Sequence, residues 1–196
     1  MEFTLPGVDL QFEWTVPPVE CGLNDGVLSA VAVPGTDIFI DPTATSRKLS
    51  AARALAPLPD GDWRFSARVR VGFRDTFDAG VLLLWADDAH WAKLCFERSP
   101  SGTPMVVSVV CRDVADDANA WPVDGDAVWL RISRVEGAYA FHASANGTHW
   151  DFVRHFTLPA AQLGFVVQAP TGGECSAVFD DVRFATGGLA DLRDGS

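Results

Sequence analysis

Apolar and polar residues alternate strictly from Trp91 to Glu97, with Trp91, Lys93, Cys95 and Glu97 at one parity and Ala92, Leu94 and Phe96 at the other. Strand side chains point to opposite faces with a period of two, which predicts a strand whose Ala-Leu-Phe face enters a core and whose other face looks outward. The run from Asp78 and the polar turn Ala86 to Ala89 make it the second arm of a hairpin. Trp63 to Phe73 alternates in the same way. Phe65, Ala67, Val69, Val71 and Phe73 oppose Arg64, Ser66, Arg68 and Arg70, the pattern of a strand at a sheet surface. Further strands are predicted over 12–14, 27–33, 37–40, 104–111, 128–135, 163–168 and 177–184. Turn signals recur about every ten residues and no long segment has helical periodicity, which predicts an all-β sandwich or barrel. Residues 43–60, closed by Pro57, Pro59 and Gly61, read as a loop that could act as a lid.

Two Gly-containing turns set a register for the last third. If Glu136-Gly137 and Asn146-Gly147 both close tight two-residue hairpins, Val135 pairs with Ala138 and Ala145 with Thr148. Counting outward sets Arg131 opposite His142 and His142 opposite Asp151, with Trp150 and Phe152 on the apolar side beside Ile132 and Phe141. The tail from 187 to 196 is expected to fray, leaving one domain over 1–186.

Composition narrows the partners. The chain has 196 residues, enough for one buried core, and its thirteen Phe and seven Trp are hard to leave in water. A net charge of −11 argues against nucleic acid, whose binders need Lys and Arg to displace phosphate counterions. No stretch approaches the roughly 20 apolar residues of a membrane-spanning helix, and the opening residues lack the pattern of a secretion signal. No membrane association and a cytoplasmic location are therefore expected. Cys21, Cys95, Cys111 and Cys175 are widely spaced without zinc-site spacing, so reduced thiols are expected.

The segments FEW at 12–14, TDIFIDP at 36–42, DAGVLLLWADDAHWAKLCFE at 78–97, SVV at 108–110 and LRISRVEGAYAFHASANGTHWDFVRHF at 130–156 together resemble one family. It is a domain family of unknown function with a concanavalin A-like lectin/glucanase fold, whose members include the regulation of enolase protein. The resemblance implies a jelly-roll sandwich of two antiparallel sheets with little or no helix, and it implies no established reaction. Where such sequences usually carry Ser-Asp-Trp after the SVV strand, Ala115-Asp116-Asp117 stands here, which removes a stacking platform.

The outward row is the candidate binding surface. Trp91 would supply an apolar platform, with Lys93, Glu97, Arg68, Arg70 and Asp116 as hydrogen-bonding groups, an arrangement suited to a hydroxyl-rich ligand. Cross-strand ion pairs on a solvated sheet would give the same pattern. Glu97 is also the candidate catalytic carboxyl for glycoside hydrolysis, which needs a second carboxyl roughly 5–9.5 Å away. Lys93 lies roughly 13 Å along the strand from it at about 3.3 Å per residue, so a partner must come from a neighbouring strand or loop. Arg131, His142 and Asp151 form a secondary polar row in which a cation and a carboxylate could tune an imidazole. The Asp-rich stretch Arg112 to Asp126 could coordinate Ca²⁺, and no other cofactor is expected. The reading is a lectin-like protein that binds a carbohydrate or related polar metabolite without catalysis. The alternatives are a carbohydrate-active enzyme using Glu97, or a regulatory protein-interaction module linked to glycolytic metabolism.

Overall fold

A computed structural model describing residues 1–196 contains seventeen strands and no helix. The first seven are β1 (Glu2–Leu5), β2 (Val8–Val16), β3 (Glu20–Asn24), β4 (Val27–Val31), β5 (Ile38–Ile40), β6 (Arg47–Leu49) and β7 (Ala52–Ala56). There follow β8 (Trp63–Gly72), β9 (Ala79–Asp87), β10 (His90–Arg98), β11 (Pro104–Arg112) and β12 (Val114–Pro122). The last five are β13 (Ala127–Val135), β14 (Ala138–Ser144), β15 (Asp151–Phe156), β16 (Gln162–Gln168) and β17 (Ser176–Thr186). They form an eight-stranded sheet in the order β1-β2-β7-β16-β9-β10-β11-β12 and a seven-stranded sheet in the order β15-β14-β13-β8-β17-β4-β3. All the named strand pairs are antiparallel, as the jelly-roll expectation required. No helix is long and apolar enough to cross a membrane.

The interior between the sheets follows from period-two burial. In β2, Val8, Leu10, Phe12 and Trp14 are buried while Asp9, Gln11, Glu13 and Thr15 are exposed. Phe165 of β16 lies at the centre, its ring centroid 5.1 Å from Phe12, 5.5 Å from Phe65 and 4.8 Å from Phe179. These separations suit tilted and edge-on aromatic packing. The neighbouring Gly164 is needed for close approach, since a Cβ there would lie 1.8 Å from the Ala54 carbonyl oxygen across the β7–β16 pair. Gly164→Ala is therefore expected to cost about 1–3 kcal/mol of stability, read from urea unfolding. An unchanged midpoint would show that β7 can yield at no cost.

The central strands of the large sheet are covered on both faces, which corrects the expected outward row. Trp91 and Cys95 are completely buried and Lys93 is 2% exposed. Trp91 and Cys95 belong to a second apolar cluster with Ile38, Ile40, Leu55, Val81, Leu83, Trp85, Val107, Val109 and Val166. The cover is the β5–β6 hairpin. Its base is held where Ser50 and Ala51 N–H groups donate to the Asp37 carbonyl, and its tip where Arg47 reaches Asp88 at 3.4 Å. The segment read as a loop over 43–60 thus contains β6 and β7, and its first part closes over the sheet. The Asp-rich stretch is likewise largely strand β12, which separates Asp116 and Asp117 onto opposite faces. No group of three or more His, Cys, Asp or Glu residues is placed to hold a metal ion.

The expected register is present at one turn and absent at the other. Val135 pairs with Ala138 and Arg131 with His142, across Glu136 and Gly137 at φ 51° and 84°. At the second turn, Ser144 Oγ accepts from the Asn146 and Gly147 N–H groups, and Asn146 Oδ1 accepts from those of Thr148 and His149. These side-chain bonds build a longer connection, and a bulge between Phe141 and His142 pairs His142 with Phe152 and Ala143 with Asp151. Asp151 therefore leaves the His142 row. Trp150 and Phe152 leave the core: the Arg131 guanidinium stacks over Trp150 at 4.1 Å, and the Phe152 ring meets His142 edge-on at 5.8 Å.

Candidate functional site

The candidate site is a cavity of about 150 Å³ between the large sheet and its hairpin cover. That is room for about five waters, the scale of one small polar ring. Strand register decides which side chains reach it. Lys93 on β10 is flanked by Leu83 on β9 and Val109 on β11, and Val109 is paired in turn with Asp117 on β12. Four residues along β10, Glu97 and, from β16, Gln168 both pair with Ala79. Lys93, Asp117, Glu97 and Gln168 thus line one wall, Asp37 and Phe39 come from the cover, and Phe77 comes from the loop before β9.

Lys93 organises the polar groups. Its Nζ donates to Gln168 Oε1 at 3.1 Å and lies 3.5 Å from Asp37 Oδ1. The Gln168 amide in turn donates to the Phe77 carbonyl at 3.2 Å, so one side chain couples the ammonium to the loop. Burial opposes the charge on Lys93, but the surrounding acids, Asp37 foremost and Glu97 among them, outweigh it and raise its pKa. Burial pushes the Glu97 carboxyl up to about 7, against the pull of Lys93 and with repulsion from Asp37 and Asp117. The cavity therefore offers an ammonium donor, carboxylate acceptors and a carboxyl that carries a proton near neutral pH.

Phe77 is held in an unusual way. It is 38% exposed yet lines the cavity, and its backbone sits at φ 68°, a region bulky residues rarely occupy. The Phe77 N–H donates to the Arg98 carbonyl, and Asp78 Oδ2 accepts from the Arg74 and Asp75 N–H groups at 2.9 Å each. Thr171 Oγ1 adds a bond to the Thr76 carbonyl. Such over-determination is what keeps a strained residue in place, and it presents the ring at the mouth of the cavity.

Of the six residues expected on one binding face, Lys93 and Glu97 come together in the cavity. Trp91 lies behind Lys93, fully buried, so its ring offers no open platform. Arg68 and Arg70 are on the other sheet, where both bind the Asp180 carboxylate, at 2.5 Å and 2.6 Å. Asp116 is exposed and pairs with Arg154 at 3.0 Å; its neighbour Asp117 is the acid that reaches the cavity. Asp37, Asp117 and Gln168 line the cavity without having been expected there from the sequence pattern. The signal for Gln168 was present, since it is the one amide closing the apolar run LGFVV.

In the secondary row, Arg131 and His142 are cross-strand neighbours, and the segment after β17 lies over them. His142 Nε2 donates to the Leu192 carbonyl at 2.8 Å, and Arg131 donates to the Gly195 carbonyl at 2.5 Å. Residues expected to fray are thereby pinned, with Gly195 buried. Burial lowers the His142 pKa to about 4, which keeps the imidazole neutral and makes it a poor base near pH 7.

With this geometry in place, comparison with known proteins shows where the fold recurs. The family described as "Protein of unknown function (DUF1349)" matches residues 14–186. No curated protein matches the chain. Among solved structures, it is similar to a functionally unknown protein from Saccharomyces cerevisiae, with TM-score 0.78 and 20% identity over 90% of this chain and 96% of that one. It is also similar to the GH43 protein BlXynB of Bacillus licheniformis, with TM-score 0.69 and 12% identity over 91% of this chain but 37% of that one. A third likeness is to the carbohydrate binding module CBM66 of Bacillus subtilis, with TM-score 0.60 and 11% identity over 89% and 95% of the two chains. At these identities the likeness is one of fold.

Proposed function

Because the chain belongs to the DUF1349 family of proteins of unknown function, its fold brings no activity with it, and we propose that it binds a carbohydrate or related polar metabolite in the Lys93 cavity. The observation that carries this reading is the convergence of Lys93, Glu97, Asp37, Asp117 and Gln168 on one small space between Phe39 and Phe77. A sugar hydroxyl both donates and accepts. Lys93 and the protonated Glu97 supply donors, Asp37 and Asp117 supply acceptors, and the two rings offer surfaces for sugar C–H groups. The likeness to a carbohydrate binding module supports the ligand class. The size of the cavity favours a single ring over a long oligosaccharide.

A thermal-shift screen against monosaccharides, sugar acids and short oligosaccharides tests this. A ligand at one hundred times its Kd stabilises the fold by about 2.7 kcal/mol, which raises Tm by several degrees in a chain of this size. The expected result is a shift with a single-ring ligand that shrinks in Glu97→Gln. No shift with any compound, or an equal shift in the variant, would overturn the reading. Affinity capture with a glycolytic enzyme would then test the alternative of a regulatory protein-interaction module.

One observation favours a second reading. A buried carboxyl titrating at about 7 is suited to be a general acid, and Asp37 or Asp117 could serve as its partner in glycoside hydrolysis. Turnover of chromogenic glycosides that disappears in Glu97→Gln would favour this second reading over simple binding.

A further inference from the structure

The outer face of the seven-stranded sheet carries a second groove, of about 270 Å³, lined by Arg64, Ser66, Arg131, Arg183 and Trp150 among others. Its floor is set by register. Ser66 on β8 pairs with Arg131 on β13 and with Arg183 on β17, so one hydroxyl lies between two guanidiniums in a single cross-strand row. Paired Cα atoms in antiparallel strands are about 4.5–5.5 Å apart, which puts the two arginines within reach of one small ligand above Ser66. Arg64, two residues along the same strand, projects from the same face.

The charges here are not balanced as they are next door. Arg68 and Arg70 share Asp180, and Arg183 binds Asp181 at 2.8 Å. Arg64 and Arg131 have no carboxylate partner. Arg131 is 6% exposed, its Nε is buried without a hydrogen bond, and it binds only the Gly195 carbonyl while its plane rests on Trp150. Burial and the adjacent Arg64 charge pull the Arg131 pKa down to about 10. In a chain of net charge −11, cationic groups left facing one another need an external counter-charge. Guanidinium forks are matched to oxyanions, and the Ser66 hydroxyl can donate a further bond.

We propose that this groove binds a tetrahedral oxyanion, phosphate or sulfate, clasped by Arg64, Arg131 and Arg183 over Ser66. The site is separate from the Lys93 cavity and does not depend on what that cavity holds. Calorimetric titration of the full chain with inorganic phosphate, and then with sulfate, at constant chloride concentration tests it. The expected result is saturable binding of one anion per chain, weakened about tenfold or more by Arg64→Gln and by Arg131→Lys, the second because it keeps the charge and loses the fork. Arg64 is half-buried and unpaired, so its replacement leaves the fold intact even if Arg131→Lys disturbs it. Glu97→Gln is the control. It leaves phosphate affinity unchanged if the groove is the site, and tightens it if phosphate sits beside Lys93. Absence of saturable heat at millimolar phosphate, equal affinity in Arg64→Gln, or tighter binding in Glu97→Gln would each overturn the proposal.

Discussion

Replacing Lys93 by Met is expected to lower the free energy of unfolding by about 3 kcal/mol at pH 8, because it leaves half-buried acids without their cation. Met nearly conserves the volume at a position only 2% exposed, so lost packing contributes little. The loss falls on Asp37, whose Oδ1 lies 3.5 Å from the ammonium, on Gln168, whose Oε1 loses its donor, and on Glu97. Lys93 draws the Glu97 pKa down against the effect of burial, so its removal sends that pKa higher still. The penalty should therefore shrink at pH 5, where Glu97 carries its proton. Adding Glu97→Gln to Lys93→Met should recover part of the loss at pH 8, since one stranded charge is gone. Urea unfolding of wild type, both single variants and the double variant at the two pH values measures all of this. Equal midpoints for wild type and Lys93→Met at pH 8 would mean that the ammonium does not balance the acids around it.

That Lys93 is buried at all could not be read from its own strand. The alternation of Trp91, Lys93, Cys95 and Glu97 against Ala92, Leu94 and Phe96 identifies β10 and its inter-sheet face correctly. It says nothing about what lies over the opposite face. The clue was in the neighbours: β9 is buried from Ala79 to Trp85 at both parities, and β11 and β16 are nearly so. A sheet with such strands must be covered on both sides. The cover, β5–β6, lies in the segments 37–40 and 43–60, which show no sign in sequence of where they dock. Asp116 and Asp117 differ by one residue on the edge strand β12, and a one-residue slip moves every side chain to the other face.

The same rule accounts for the second polar row. Glu136-Gly137 closes its hairpin through backbone conformation alone, and the register on that side is as the sequence implies. At Asn146-Gly147, Ser144 and Asn146 capture backbone N–H groups with their own side chains, and the resulting bulge turns Phe152 toward His142. The segment 187–196, rich in Gly and Asp, has the composition of a frayed end. It is held because Arg131 and His142 offer it donors that nothing else in the sheet accepts.

Glu97 and His142 should also make opposite contributions to stability over nearly the same pH range. Glu97 titrates near 4.5 when unfolded and at about 7 in the fold. Between those values the native state holds the extra proton, so stability falls as pH rises, by about 3 kcal/mol once the window is crossed. His142 titrates near 6.5 when unfolded and at about 4 in the fold. There the unfolded state binds the extra proton, so stability falls as pH drops from 6.5 to 4, by a similar amount of about 3 kcal/mol. In wild type the two slopes oppose each other and mask both groups. Single replacements unmask them. Relative to wild type, Glu97→Gln should gain stability steadily from pH 4.5 to 7, and His142→Gln should gain it from pH 6.5 down to 4. Urea unfolding at pH 4.5, 5.5, 6.5 and 7.5 gives both difference curves, in which all other titrating groups cancel. Parallel curves for Glu97→Gln and wild type would mean that this carboxyl is solvated and carries no proton at neutral pH, removing the donor that the Lys93 cavity offers a ligand. Parallel curves for His142→Gln would mean instead that residues 191–195 leave the imidazole open to water.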